Sequence, residues 1–200
     1  MIPEDQNQFA LRDDIDLTSL VIEGERVLLR AVDFPYAEAI FREFTDEITR
    51  YMIPKAADDI SETEDFIRAS RQGMKEQYDL ALVILRKPEA GTSEEEEFLG
   101  CCGLHGRRHG RTPELGIWLK KGAHRQGLGR ETIVLLSQWA LAHLDFDYLI
   151  YPVDRANTPS RRIPESMGGV IIEEARMPTM RGTELDEIVF QLTPEAIAAL

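Results

Sequence analysis

The stretch KKGAHRQGLGRETI, Lys120 to Ile133, sets Gly127 and Gly129 one residue apart among basic side chains. It lies where a strand-like apolar pattern gives way to a helical one, a placement suited to holding phosphate. Glycine lets the backbone approach phosphate oxygens and adopt positive φ, and a helix N-terminus adds about half a positive charge. Arg125 and Arg130 offer charge-assisted hydrogen bonds beside it. A Walker loop ends in Gly-Lys-Ser/Thr, so that lysine and hydroxyl reach phosphate and magnesium, but Gly129 is followed by Arg130 and Glu131. A dinucleotide fingerprint needs a third glycine in an early βαβ unit, and Thr132 stands there. What remains is a strand, a short turn of exposed N–H groups, and a helix whose first amides aim at a pyrophosphate. A plain glycine turn with solvated basic residues fits the same letters, and the loop alone does not separate the two.

His105 and His109 have a metal-ligand spacing only on a helix. Gly103, Gly106 and Gly110 oppose a helix there, and no carboxylate or cysteine completes the set, so no metal is expected. Cys101 and Cys102 are adjacent in an apolar run and read as small buried hydrophobes.

The elements that must position the loop follow from periodicity. GERVLLRAVD reads as a strand, and Asp33 as the cap of a helix with Ala37, Ile40, Phe41 and Phe44 on one face. SETEDFIRASRQGM reads as a second helix with Ser61 and Glu64 as a capping box. LALVIL and FLGCCGL are strands joined by the acidic connector RKPEAGTSEEEE, which reads as a solvated hairpin loop. ELGIWLK is a strand entering the glycine loop, and RETIVLLSQWALAHL, apolar nearly all round, is a helix buried against a sheet. In the next strand, YLIYPV, Pro152 cannot donate a ladder hydrogen bond, so that side must be unpaired. A short helix near Pro159 or Ser160, strands at GVIIEE and EIVFQL, and a final turn capped by Thr193 with Pro194 at its first position complete the chain. This order predicts a single mixed α/β (α+β) domain, with helices covering a mainly antiparallel sheet.

Two hundred residues, 43% of them hydrophobic, suit one such domain, read here as 19–200 behind an extension, 1–18, that is poorly ordered or packed on the surface. The opening residues lack the flank and core of a signal peptide, and no apolar run approaches the roughly 20 residues that span a bilayer. A soluble, cytoplasmic protein without a membrane partner is expected. The net charge of -13 argues against nucleic acid. Basic residues nonetheless gather at Arg107, Arg108, Arg111, Lys120, Lys121, Arg125 and Arg130, and again at Arg155, Arg161 and Arg162, against the single acid Glu114 between Leu104 and Arg130. An acidic protein with a local basic site suits a small polyanion.

Together, IEGERVLLRAV with the following TRYM, ELGIWLKKGAHRQGLGRETI and NTPSRRIPESMGG resemble the GNAT acyltransferases, specifically the branch of Rim-type ribosomal-protein N-terminal acetyltransferases, over roughly Leu20 to Leu192. The resemblance implies a twisted sheet of about seven strands, flanked by about four helices, whose central strands splay to admit pantetheine. Pro152 fits such a splay. It further implies that Leu119, Arg125, Gln126, Gly127, Leu128, Gly129 and Arg130 bind the pantetheine and pyrophosphate of acetyl-CoA. By the same likeness Asn157 hydrogen-bonds pantetheine and Ser160 lies near the thioester sulfur, although both residues are equally good helix caps. Two positions depart from the superfamily pattern: His124 opens the glycine motif, and Pro164 stands where many members carry a tyrosine acid. With Pro164 there, Ser160, water or no acid at all would serve the leaving thiolate.

The implied reaction is direct attack of a neutral amine on the thioester. An α-amine, with pKa ~7.7 to 8.0, is easier to deprotonate than a lysine at ~10.4. Glu114, which shares a strand face with Gly116 and Trp118, is the first candidate base, although a surface carboxylate fits as well. His105 is the second. A strand N–H near Leu119 would polarise the thioester oxygen. The expected activity is acetyl-CoA-dependent N-acetylation of a peptide or protein N-terminus or a small amine, by a monomer or homodimer. A non-catalytic acyl-CoA-binding module and a nucleotide-binding regulator are the rivals. For the acceptor, Arg176 and Arg181 favour an acid, while the acidic surroundings favour a cation.

Overall fold

The computed structural model describes residues 6–88 and 95–200. The elements run β1 (Ala10–Leu11), β2 (Val21–Glu23), β3 (Val27–Ala31), α1 (Ala37–Glu43), α2 (Ile60–Lys75), β4 (Asp79–Arg86), β5 (Glu97–His105), β6 (Glu114–Leu119), α3 (Leu128–His143), β7 (Leu144–Asp145), β8 (Leu149–Asp154), α4 (Thr158–Ser166), β9 (Val170–Pro178), β10 (Glu184–Leu192) and α5 (Pro194–Ala198). Eight strands make one sheet in the order β2-β3-β4-β5-β6-β8-β10-β9, and β1 pairs with β7 apart from it. Every neighbouring pair is antiparallel except β6 with β8. The mixed, mainly antiparallel architecture is the expected one, with eight strands in the main sheet where about seven were predicted, and five helices among the described residues where about four were.

The differences have local causes. β2 is three residues long, too short for alternation to declare it, and Gly24 turns it into β3 by donating to the Val27 carbonyl at 2.9 Å. The second helix starts earlier than the capping box implied. Asp59 has extended backbone angles and its carboxylate accepts the Ser61 N–H at 2.9 Å, so Ser61 lies in the first turn. Asp33 caps a 3-10 turn, Phe34–Tyr36, that leads into α1. Thr193 and Pro194 start α5 as predicted.

Alternation gives β6 two faces. On the back, Leu115, Ile117 and Leu119 point toward α3, where a Cβ on Gly129 would stand 3.5 Å from Leu119 and 3.9 Å from Ile117. On the front, Phe44 at the end of α1 packs on Trp118 with ring centroids 4.9 Å apart. Leu82, Ile84, Leu99, Leu104, Ile133 and Leu136 fill the core, and Cys101 and Cys102 are buried there, where burial pushes their thiols up. β5 bulges opposite Ile84 and Leu85; Gly100 has φ 154° there, and a Cβ would overlap the Trp118 carbonyl oxygen.

Of the N-terminal extension, residues 6–18 are described. Phe9 and Leu17 are buried, Ala10 and Leu11 pair with Asp145 and Leu144, and the Phe9 N–H donates to the Gln77 carbonyl at 2.7 Å. Residues 89–94 of the acidic connector lie outside the described residues, as do residues 1–5.

Candidate functional site

The site begins where β6 and β8 part. They share one bridging pair, Glu114 with Ile150, and the Ile150 N–H donates to the Pro113 carbonyl at 3.0 Å. Two residues further along β8 the same edge is occupied by Pro152, which has no N–H, so the ladder stops. On β6, Lys120 donates toward β5, to Leu99 at 2.7 Å, and alternation therefore turns the Ile117 and Leu119 amides into the gap. Pro152 thus ends the ladder on the side that sequence reasoning expected.

A 3-10 turn, Lys121–Ala123, carries the chain from β6 into the glycine loop. His124 Nε2–H donates to the Leu119 carbonyl at 2.8 Å and ties the loop to the strand end. Arg125 and Gly127 have φ of 61° and 77°, and Gly127 caps α3 without a side-chain bond. The opening amides of α3, from Leu128 to Arg130, belong to the set that no helix satisfies internally. Gly129 lets α4 approach: a Cβ there would stand 3.3 Å from Ile163.

Distant residues brace this loop. The Arg26 N–H donates to Glu131 Oε1 at 2.7 Å, its Nε to Glu131 Oε2 at 2.7 Å, and its Nη1 to the Gln126 carbonyl at 3.1 Å. Gln126 spends its side chain on bracing, donating to the Gly122 carbonyl at 2.8 Å and accepting from Arg86 at 2.9 Å. Its backbone N–H is what it can offer a ligand.

The basic cluster is smaller than the sequence implied. Arg107 and Arg108 lie near Glu114, Glu173 and Glu187, and Arg111 pairs with Asp147. Lys120 pairs with Glu97, Lys121 with Glu47, Arg155 with Glu174 and Arg161 with Glu165. Among the described residues Arg125, Arg130 and Arg162 make no ion pair. Arg130 Nε donates to Ser166 Oγ on α4 at 2.9 Å, which holds its guanidinium beside the first turn of α3.

Across the gap, Asn157 caps α4 by accepting the Ser160 N–H at 3.4 Å. Ser160 Oγ lies 2.7 Å from the hydroxyl of buried Tyr151 on β8, and burial pushes that phenol up to about 12. Pro164 is buried inside α4 and presents no acid. Sequence reasoning did not find the bond between Tyr151 and Ser160.

Glu114 and His105 lie together on the front face, directly opposed on β6 and β5. Glu114 is mostly buried, with Arg107 at 3.7 Å. His105 Nδ1 is hydrogen-bonded to Asp79 on β4, the residue opposite it on its other side. His109 instead accepts the Arg111 N–H at 3.1 Å within its own loop, so the two histidines do not converge. Among the described residues no group of three or more His, Cys, Asp and Glu could hold a metal, and no helix is long and apolar enough to cross a membrane. Glu187 on β10 is buried nearby; burial, then the Glu114 charge, raise its carboxyl. Asp79, Arg26 and Glu187 were not singled out by sequence reasoning, because only strand register and folding bring them here.

A family model described as an acetyltransferase (GNAT) domain matches residues 26–170. Among solved structures, the chain is similar to a GNAT-family acetyltransferase from Bacillus anthracis, with 19% identity over 88% of this chain and 99% of that one, and a TM-score of 0.73. It is similar to a GCN5-related N-acetyltransferase from Brucella melitensis at 16% identity, covering 95% and 84%, with a TM-score of 0.73. A RimL ribosomal-protein α-N-acetyltransferase in complex with coenzyme A has 13% identity, covering 88% and 99%, with a TM-score of 0.73. No protein with a curated description matches the sequence.

Proposed function

This chain belongs to the GNAT acetyltransferase family, and on that premise we propose that it moves the acetyl group of acetyl-CoA to a primary amine, either a peptide or protein N-terminus or a small amine. The observation that carries the reading is the junction of three features: released strand amides at the gap, the αL turn at Gly127 opening α3, and arginines without carboxylate partners among the described residues in a chain of net charge -13. Each fits a different part of one polyanionic thioester. The amides of Ile117 and Leu119 would bind the pantetheine arm and polarise the thioester oxygen, a role that needs fixed donors and no particular side chain. Backbone N–H groups from Gln126 to Arg130, with the Arg125 and Arg130 guanidinium groups, would hold the pyrophosphate.

Asn157 would hydrogen-bond the arm from the α4 side. Ser160 would donate to the departing sulfur, with Tyr151 behind it supplying the hydrogen bond that orients the serine hydroxyl. This pair offers a donor where Pro164 cannot. The acceptor would enter at the front face, where Glu114, Glu173 and Glu187 outnumber Arg107 and Arg108. That balance supports a cationic amine. Arg181 donates to the Thr49 side chain at 2.6 Å and to the Met52 carbonyl at 3.4 Å, neutral partners that leave its positive charge in place.

The buried Pro164 favours one rival, an acyl-CoA-binding module without turnover. Incubating the protein with acetyl-CoA and a panel of N-terminal peptides, polyamines and other amines separates the two. Thiol release with an acetylated product seen by mass spectrometry is expected; stabilisation by CoA with no product across the panel would establish the module instead.

A further inference from the structure

We propose that His105 takes the proton from the attacking amine and that Asp79 is its positioning residue, with Glu114 acting on charge alone. The inference rests on the acetyl-transfer reading above. Asp79, His105 and Glu114 are mutually opposed on β4, β5 and β6, so all three side chains stand on the front face. The Asp79 carboxylate accepts from His105 Nδ1, which leaves the Nε2 lone pair free. The ring then lies across two facing glycines. A Cβ on Gly103 would stand 3.2 Å from Nε2, and one on Gly116 3.1 Å, with no other residue within 4 Å of the latter.

Gly116 locates that nitrogen along the sheet. It follows Leu115, beside the last pairing of β6 with β8, and precedes Ile117, the first residue whose amide turns into the gap. Nε2 therefore sits beside the point where a thioester carbonyl would meet the released amides, on the face an acceptor would approach. Any larger residue at position 116 would meet the imidazole. Among the described residues Nε2 has no protein hydrogen bond and is not one of the buried unpartnered polar atoms.

Chemistry favours imidazole over carboxylate. A base works best when its pKa lies near the operating pH and near that of the acid it deprotonates, and imidazole lies about two units closer to an α-amine than a carboxylate does. In the step, the amine nitrogen bonds to the acyl carbon, the carbon–sulfur bond breaks with its electron pair going to sulfur, and the amine proton passes to Nε2. Asp79 and Glu114 then flank the imidazolium with negative charge. The other charged or titratable groups around it are Arg107 beside Glu114, Glu187 and Arg108 beyond that, and Tyr78 and Glu76 next to Asp79.

The test is steady-state kinetics of the full chain against pH, with the best acceptor from the amine panel. For His105→Ala, kcat should fall by about a hundredfold or more, while KM for acetyl-CoA and the thermal shift by CoA stay near wild type. Millimolar imidazole should restore part of the loss, a readout that a merely structural histidine would not give, and His105→Gln should lack that rescue. Asp79→Asn should lower kcat with KM for acetyl-CoA unchanged, and Asp79→Glu should recover part of the loss, because a carboxylate holds the Nδ1–H tautomer. Glu114→Gln should keep the ascending limb of the profile. The proposal is overturned if His105→Ala keeps kcat within about threefold of wild type, or if Glu114→Gln alone abolishes the limb. Absence of wild-type turnover with any amine would sink the activity and the base together, which the wild-type arm reads independently of the variants.

Discussion

Replacing Arg130 by glutamine isolates the charge of the loop from its shape. Arg130 is exposed, has no carboxylate partner among the described residues, and is held by one bond to Ser166. Its removal therefore strands no buried charge, and stability without ligand should stay within about 0.5 kcal/mol of wild type. A charge-assisted bond to a phosphate contributes ~1.5 to 3 kcal/mol, and exposure places this one at the lower end, or about tenfold in affinity. The readout is thermal stabilisation by CoA. At a concentration near 100 times the wild-type Kd, ligand stabilises the fold by about 2.7 kcal/mol; a tenfold weaker Kd leaves about 1.4. For a domain of this size ~1 kcal/mol moves Tm by about 2 to 4 °C, so the CoA-induced shift should drop by roughly half while the ligand-free Tm stays put. An unchanged shift would refute the assignment of the arginines to the pyrophosphate, and so would an equal loss of Tm without ligand.

Gly100→Ala should destabilise the fold by about 2 kcal/mol or more, since a Cβ there meets the Trp118 carbonyl oxygen and not a yielding side chain; denaturant titration measures it. Tyr151 has its pKa raised from 10.0 to about 12 by burial, so its contribution is fully present below pH 10 and is lost as pH rises toward 12. Melting curves should fall steeply across that window and less so for Tyr151→Phe, with phenolate absorbance following the loss. Asn157→Ala should cost only about 0.5 kcal/mol as a cap, because its bond to Ser160 is long at 3.4 Å, yet raise KM for acetyl-CoA several-fold if the amide also holds pantetheine. Proportionate loss of both quantities would leave only the cap.

What could be read from the sequence was local. The strand, turn and helix around Gly127 depend on backbone angles set by a few neighbours, and the end of the β6–β8 ladder follows from a property that Pro152 has anywhere. Asn157 and Thr193 cap their helices because short polar side chains reach the same amides in any fold. What could not be read depends on register. Asp79 reaches His105 only because β4 and β5 pair in one alignment, and Arg26 meets Glu131 across 105 residues of chain. The basic cluster misled for the same reason: linear charge counts ignore the carboxylates that folding brings opposite Arg108, Arg111 and Lys120. Asp59 and Ser61 are both competent caps, and the extended backbone entering α2 decides between them.

The single bridge between Glu114 and Ile150 divides the sheet into a five-stranded and a three-stranded block. Few hydrogen bonds resist their separation, so partial opening along this seam would be among the cheaper excursions of the molecule. A ligand seated there would fasten the blocks to each other and make the survival of the chain depend on supply. If the chain binds acetyl-CoA as proposed, the seam would be held shut with ligand and would open more readily without it, so bound ligand would slow limited proteolysis.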